Sequence, residues 1–135
     1  MFFDDNFSAN VIGALRLKEN RKVRCFNDAR SFCALSYRHR AQSHFEVGDK
    51  VFEANGRSIA LVPAGVDYLR VSQGEDMTVI HFIPNTPVDR KIKVFYPENP
   101  IEFEKMFDKV LKVWQRKDTA YKIKCSEYLL RIACM

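Results

Sequence analysis

The side chains able to do chemistry in this chain are few and scattered. Its three histidines stand at His39, His44 and His81. A catalytic iron, manganese or zinc needs about three oxygen or nitrogen donors held together with positions left open. His39 and His44 are five residues apart, so on one strand they face opposite sides, and His81 stands alone. No metal and no other cofactor is therefore expected. The acidic pairs Asp4-Asp5 and Glu75-Asp76 fall in the N-terminus and in what reads as a turn, where solvated charge is the ordinary role. The chain has no G-x-S-x-G, no P-loop, no G-x-G-x-x-G and no H-E-x-x-H. No catalytic residue is expected, and the chain does not read as an enzyme.

Composition narrows the class. With 135 residues, 47% of them hydrophobic, the chain suits a single domain with a real core. No stretch approaches the ~18 consecutive apolar residues of a membrane span. Met1-Phe2-Phe3-Asp4-Asp5 carries acids where a signal peptide carries bases, so a cytoplasmic location is expected. Cys25, Cys33, Cys125 and Cys134 form no C-x-x-C pair and are expected as free, buried thiols. The net charge of +5 is dispersed along the C-terminal third, which fits solvated helix faces better than a nucleic-acid groove.

The elements that must position any site are short strands between tight turns. Val11–Leu17 reads as a strand or packed arm, followed by a polar turn at Lys18–Lys22. Val23–Phe26 is expected as a strand. From Arg30 to Arg40 the residues alternate, with Cys33, Leu35 and Tyr37 on one face and Ala34, Ser36 and Arg38 on the other. Gly48-Asp49 is a two-residue hairpin loop joining Ser43–Val47 to Lys50–Glu53. Asn55-Gly56 makes the next reversal, Ser58–Val62 is an apolar strand, and Pro63-Ala64-Gly65 turns the chain again. Tyr68–Val71, a turn at Gln73-Gly74-Glu75-Asp76, and Met77–Ile83 complete the set, with a last strand expected in Lys91–Phe95. Strands this short favour a small barrel or sandwich.

After Pro84 the period changes. Asn99 is placed to cap a helix, Pro100 fits its first position, and Glu102 suits the positive end of its dipole. Phe103, Met106, Phe107, Val110, Leu111 and Trp114 form one apolar stripe. Arg116-Lys117-Asp118 permits an antiparallel second helix from about Thr119, with Tyr121, Cys125, Tyr128, Leu129 and Ile132 as its stripe. Ile123, Leu130 and Cys134 lie on a second face flanked by Glu127 and Arg131. A second apolar face asks for another partner, and self-association through this helix is expected. Met135 follows without a helix-stop signal, so the chain is expected to belong to a longer protein.

A family resemblance rests on this ground. The run Asn55-Gly56-Arg57-Ser58-Ile59-Ala60-Leu61-Val62-Pro63-Ala64-Gly65-Val66-Asp67-Tyr68 resembles the G-D, hydrophobic run, P-P-G-x-x-H/Y segment of cupin-type barrels. Ile80-His81-Phe82 resembles the I-H-F ending in sensor domains of AraC-type transcription regulators. Arg30-Ser31-Phe32 leading into Leu35–Arg38 fits the strand that opens those domains, and the helical tail fits them too. The resemblance runs from roughly Arg24 to the C-terminus. It implies a mainly β, cupin-type jelly-roll barrel with an N-terminal arm (1–97), followed by an antiparallel helix pair for dimerisation (98–135). Many cupin enzymes hold a metal through H-x-H and a later His. Here H-x-H is missing and Tyr68 takes the later position.

The resemblance further implies a small effector, a sugar or a carboxylate, bound inside the barrel. Carried over by position, its contacts would be Arg38, Tyr68, Arg70, Met77, Val79 and His81. Arg supplies forked donors for a carboxylate, phosphate or diol, and Tyr or His adds a directional hydrogen bond. Val79 stands where the family has a stacking aromatic. Plain alternation would instead bury Leu69 and Val71, which leaves the inward face of that strand open. The resemblance implies homodimerisation through the second helix, and DNA contact only through helix-turn-helix units that this chain lacks. The alternative is a stand-alone small cupin, either a metal-independent enzyme or a carbohydrate-binding module.

Overall fold

A computed structural model describes residues 2–135. The strands are β1 (Ala9–Glu19), β2 (Val23–Asn27), β3 (Cys33–Val47), β4 (Lys50–Glu53), β5 (Ile59–Val62), β6 (Tyr68–Pro84) and β7 (Lys93–Phe95). Two helices follow, α1 (Pro100–Arg116) and α2 (Tyr121–Cys134). The strands form one seven-stranded sheet in the order β1-β6-β3-β5-β7, with β2 added on β6 and β4 on β3. All pairings are antiparallel. The architecture is the expected mainly β barrel followed by a helix pair.

The hairpin at Gly48-Asp49 forms as its sequence dictates. Val47 pairs with Lys50, and Gly48 takes φ 59°, which costs an L-residue with a Cβ but not glycine.

The turn expected at Gln73–Asp76 does not exist. β6 runs through it as one 17-residue strand, and β3 likewise unites the two strands expected at 30–40 and 43–47 into 15 residues. Each long strand carries a bulge instead. Between Arg38 and Arg40 β3 gains a residue, while opposite Ala41 and Ser43 the extra residue falls on β6, between Ser72 and Glu75. Gly74 stands at that point with φ 144°. Here β6 also changes neighbours, pairing with β2 through Ser72 and with β1 from Glu75 onward. A Gly beside two acids is a hairpin signal in isolation. In this sheet the same conformational freedom bends a strand.

The wall has two differently used faces. Cys33, Leu35 and Tyr37 of β3, with Ile80 and Phe82 of β6, are buried against Phe103 and Phe107 of α1 and Leu129 and Ile132 of α2. Fully burying each such side chain contributes about 1.5–3 kcal/mol. The other face turns into the barrel, where Phe45, Ala60, Val62 and Tyr68 form a smaller cluster. The alternation expected across β3 is present.

Asn99 precedes α1, and Pro100 opens it, but the Asn99 side chain does not cap the helix. Its ψ of 65° lies outside the extended range from which a cap folds back on the first N–H groups. The amide Nδ2 instead donates to Glu102 Oε2 at 2.5 Å. The helices run antiparallel: Trp114 meets Tyr121, with ring centres 5.1 Å apart, and Cys125 Sγ lies 3.5 Å from the Val110 carbonyl. The second helix starts at Tyr121, two residues after the expected Thr119, because Ala120 is left-handed with φ 61°. It is tied to β1 where the Val11 N–H donates to Ser126 Oγ at 3.0 Å. The N-terminal segment packs as an arm, with Phe3 stacked on Phe7 and both against Phe82. Cys33 and Cys125 are buried, Cys25 is half-buried and Cys134 exposed, all unpaired.

Candidate functional site

A cavity of about 180 Å³ lies inside the barrel, and Arg38, Tyr68, Arg70, Met77, Val79 and His81 all line it. Along β6 these residues have mixed parity, even before Gly74 and odd after it. In a regular strand they would point to opposite faces. The extra residue between Ser72 and Glu75 reverses the parity, so Tyr68, Arg70 and Ser72 share a side with Glu75, Met77, Val79 and His81. The bulge in β3 does the same for Ala34, Ser36 and Arg38 on one side of it and Phe45 on the other. The inward face of Tyr68–Val71 is thereby decided: Tyr68 is buried, and Leu69 and Val71 are only half-buried.

Two of the lining arginines, Arg38 and Arg70, belong to one ionic network. Arg38 is 1% exposed, and its Nη1 donates to Glu75 Oε2 at 2.5 Å and to Ser43 Oγ at 3.1 Å. Glu75 Oε1 accepts from Arg70 Nη1, and Arg70 Nη2 reaches Glu19 Oε1 at 3.1 Å. The Arg38 guanidinium lies over the Phe45 ring, 5.0 Å from its centre. Burial first, and then repulsion from Arg70, lower the Arg38 pKa to about 10, which leaves it charged at neutral pH. Its Nε is buried without a partner. The expectation that Glu75-Asp76 is a solvated pair is therefore wrong. Glu75 is fully buried, and Asp76 takes a forked contact from Arg16 at 2.6 and 2.8 Å. Two arginines expected inside the barrel lacked a visible counter-charge in the sequence, and that was the available signal for an internal carboxylate.

Arg30, Asn27, Tyr68 and His81 also line the cavity, outside this network, and Arg30 Nη2 donates to Asn27 Oδ1 at 2.8 Å. Burial first, and then the Arg30 charge, push the His81 pKa below its usual value, favouring the neutral ring. Burial raises the Tyr68 pKa, against the pull of Arg30, Arg70 and Arg38, so its hydroxyl stays protonated. Asn27, Arg30, Ser36 and Phe45 were not among the residues expected here. Arg30 lies in the connection between β2 and β3, and Asn27 is the last residue of the short β2, where periodicity carries little information.

The histidines do not converge. His39 sits at the β3 bulge between Thr78 Oγ1 at 2.7 Å and Glu104 of α1 at 2.9 Å. His44 contacts Glu46 at 3.0 Å, and His81 lies against the Phe32 ring. Among the described residues no three His, Cys, Asp or Glu side chains are grouped to hold a metal.

On α2, Ile123 is 73% exposed, Cys134 is exposed, and Leu130 is half-buried. Glu127 and Arg131 pair with each other at 2.7 Å. Beside this face, Ile123, Tyr121 and Trp114 line a cleft of about 500 Å³ with Ile12 of β1. Ile12, 43% exposed, was not foreseen as part of that surface. No helix among the described residues is long and apolar enough to cross a membrane.

No protein-family model matches the chain, and no curated protein matches it significantly. Solved structures do. The AraC-like transcriptional activator CuxR superposes with a TM-score of 0.63 at 11% identity, over 96% of this chain and 56% of that one. ToxT from Vibrio cholerae gives a TM-score of 0.50 at 11% identity, over 89% of this chain and 57% of its own. The chain thus spans just over half the length of each. At that identity the likeness is one of fold.

Proposed function

We propose that this chain is the effector-sensing and dimerisation part of an AraC-type bacterial transcription regulator, one sensor unit with the barrel at 1–97 and the helical segment at 98–135. The observation that carries the reading is the cavity inside the barrel, lined by polar and apolar side chains together, in a fold shared with an AraC-like activator. Polar groups held in an apolar shell are what a small-molecule site requires, because the shell supplies burial and the polar groups supply selectivity. Arg38, Tyr68, Arg70, Met77, Val79 and His81 contact the effector. The role is non-catalytic and cytoplasmic, needs no cofactor, and reaches DNA through a part of the regulator outside these residues.

Dimerisation falls to α2. Ile123, Leu130 and Cys134, with Glu127 and Arg131 beside them, offer a self-complementary patch of the kind a two-fold pairing uses. The cleft with Ile12 extends the same apolar surface.

The reading is tested by screening metabolites for thermal stabilisation of the wild-type domain and of Ser36→Phe, which fills the cavity. A true effector at about 100 times its Kd adds about 2.7 kcal/mol of stability. That gain is lost in Ser36→Phe if the ligand sits in the barrel. A gain retained in the filled variant places the ligand elsewhere and refutes the reading.

A further inference from the structure

We propose that the barrel cavity takes a compact organic anion, a short-chain carboxylate, and that Arg30 rather than Arg38 or Arg70 holds its charge. The inference rests on the cavity being an effector site and adds the ligand's chemistry and its anchor.

The argument is one of accounting for charges and donors. Arg38 and Arg70 are already neutralised by Glu75 and Glu19. A ligand carboxylate that took either arginine would have to compete with buried Glu75 for it and leave that carboxylate with one arginine instead of two in a low-dielectric interior, which is costly. Arg30 has no carboxylate within salt-bridge distance among the described residues, and its Nη2 is held only by the Asn27 side chain. Of the three arginines lining the cavity, it is the one whose charge is left over.

The remaining lining is donor-rich. The Arg38 Nε–H is buried without an acceptor, and among the described residues neither the Tyr68 hydroxyl nor the His81 ring has a hydrogen-bond partner. Glu75 is engaged by Arg38 and Arg70, and Glu19 by Arg70 through Oε1, while Glu19 Oε2 is buried without a partner. Ser36, Tyr68 and His81 can accept as well as donate, so it is the Arg30 charge that selects the ligand, favouring a group that brings negative charge and several lone pairs. Size agrees, since about 180 Å³ is smaller than the ~300–1,000 Å³ of sites for drug-sized ligands. Access agrees as well. Arg30 also lines an outer cleft with Pro63, Gly65, Pro87 and Arg90, so it stands between the interior and the surface, where an entering anion meets it first.

The test is calorimetric titration with straight-chain and 2-hydroxy monocarboxylates of about three to six carbons and with their primary amides, which keep the shape and remove the charge. At least one carboxylate is expected to bind, with its amide at least tenfold weaker. Arg30 lies in the connection between β2 and β3 and is half-exposed, so Arg30→Gln is expected to fold, as checked by circular dichroism. It should lose at least tenfold in affinity, and Arg30→Lys should recover part of that. Equal binding of acid and amide, or unchanged affinity in Arg30→Gln, overturns the anchor while leaving the cavity as an effector site. Binding of no carboxylate in the series overturns the proposal too. A neutral metabolite that stabilises the wild type but not Ser36→Phe would then show that the effector site itself survives.

Discussion

Arg38 and His39 are adjacent in the chain and work on opposite sides of one barrel wall. Arg38 reaches inward to Glu75 at 2.5 Å, and His39 reaches outward to Glu104 of α1 at 2.9 Å. The bulge that follows Arg38 is the point at which the interior of the barrel and the helix pair share a stretch of backbone. A shift of Arg38 or of its backbone is therefore felt by a side chain that holds the first helix.

This contact is expected to be modest in energy and local in effect. His39→Phe removes the hydrogen bonds to Thr78 and Glu104, each with a net contribution of about 0.5–1.5 kcal/mol. Amide exchange should quicken in α1 around Glu104 before it quickens in β5 or β6. Uniform acceleration across the sheet would mean that His39 serves the barrel and not the link to the helix.

The interior network should be far more sensitive. Glu75→Gln leaves buried Arg38 and half-buried Arg70 with one carboxylate fewer, and breaking a buried pair on one side costs about 3–5 kcal/mol. Urea unfolding should show that loss. Arg38→Met combined with Glu75→Leu removes both charges and should restore much of it. A loss below about 1 kcal/mol for Glu75→Gln would mean that the pair is solvated.

Much of this fold was legible in the residues themselves, and the misses have one cause. Gly48-Asp49, the alternation from Cys33 to Arg38, Pro100 and the two helical stripes each depend on neighbours close in sequence, and each appears where its chemistry requires. The turn expected at Gln73–Asp76 failed because the conformational freedom of Gly74 serves a hairpin or a strand corner equally well. Only the pairing with β1, β2 and β3 selects the corner. Glu75 was misplaced for the same reason, since its burial depends on two arginines distant or offset in sequence. The cavity residues were named from a resemblance, and the parity change that brings them to one side is not visible in any single strand.

Stability should fall on the acid side in two separate windows. His81 has a folded-state pKa below its ordinary value of 6.5, so the unfolded chain binds the proton first as pH drops, and stability declines from about that pH downward. His81→Gln should flatten this slope in thermal melts. The Asp76 carboxyl is held below its ordinary 3.8 mainly by its hydrogen bonds to Arg16. Its contribution is present above that pH and is lost as pH falls further, so Arg16→Gln should weaken only the second decline. A wild-type profile flat from pH 7 to about 5 would contradict the His81 assignment.

The α2 surface makes a prediction about assembly. Sedimentation of the wild-type domain should show a dimer, and Ile123→Glu with Leu130→Glu should give folded monomer, because four added carboxylates in the dimer would face each other across the seam. Ile123 is the better single target, being 73% exposed. A monomeric wild type at high concentration, or a double variant that remains dimeric, would remove this helix from the interface.

The most direct test of effector binding inside the barrel is methyl NMR during addition of a stabilising metabolite. Val79 and Met77 point into the cavity, while Leu129 and Ile132 pack between the helices and the other face of the wall. The expected result is that the methyl signals of Met77, Val79 and Val62 move first and furthest, saturating with the ligand, while those of Leu129 and Ile132 shift little. Saturable shifts confined to Ile12 and Ile123, with Met77 and Val79 unmoved, would place the ligand on the outer cleft and contradict binding in the barrel.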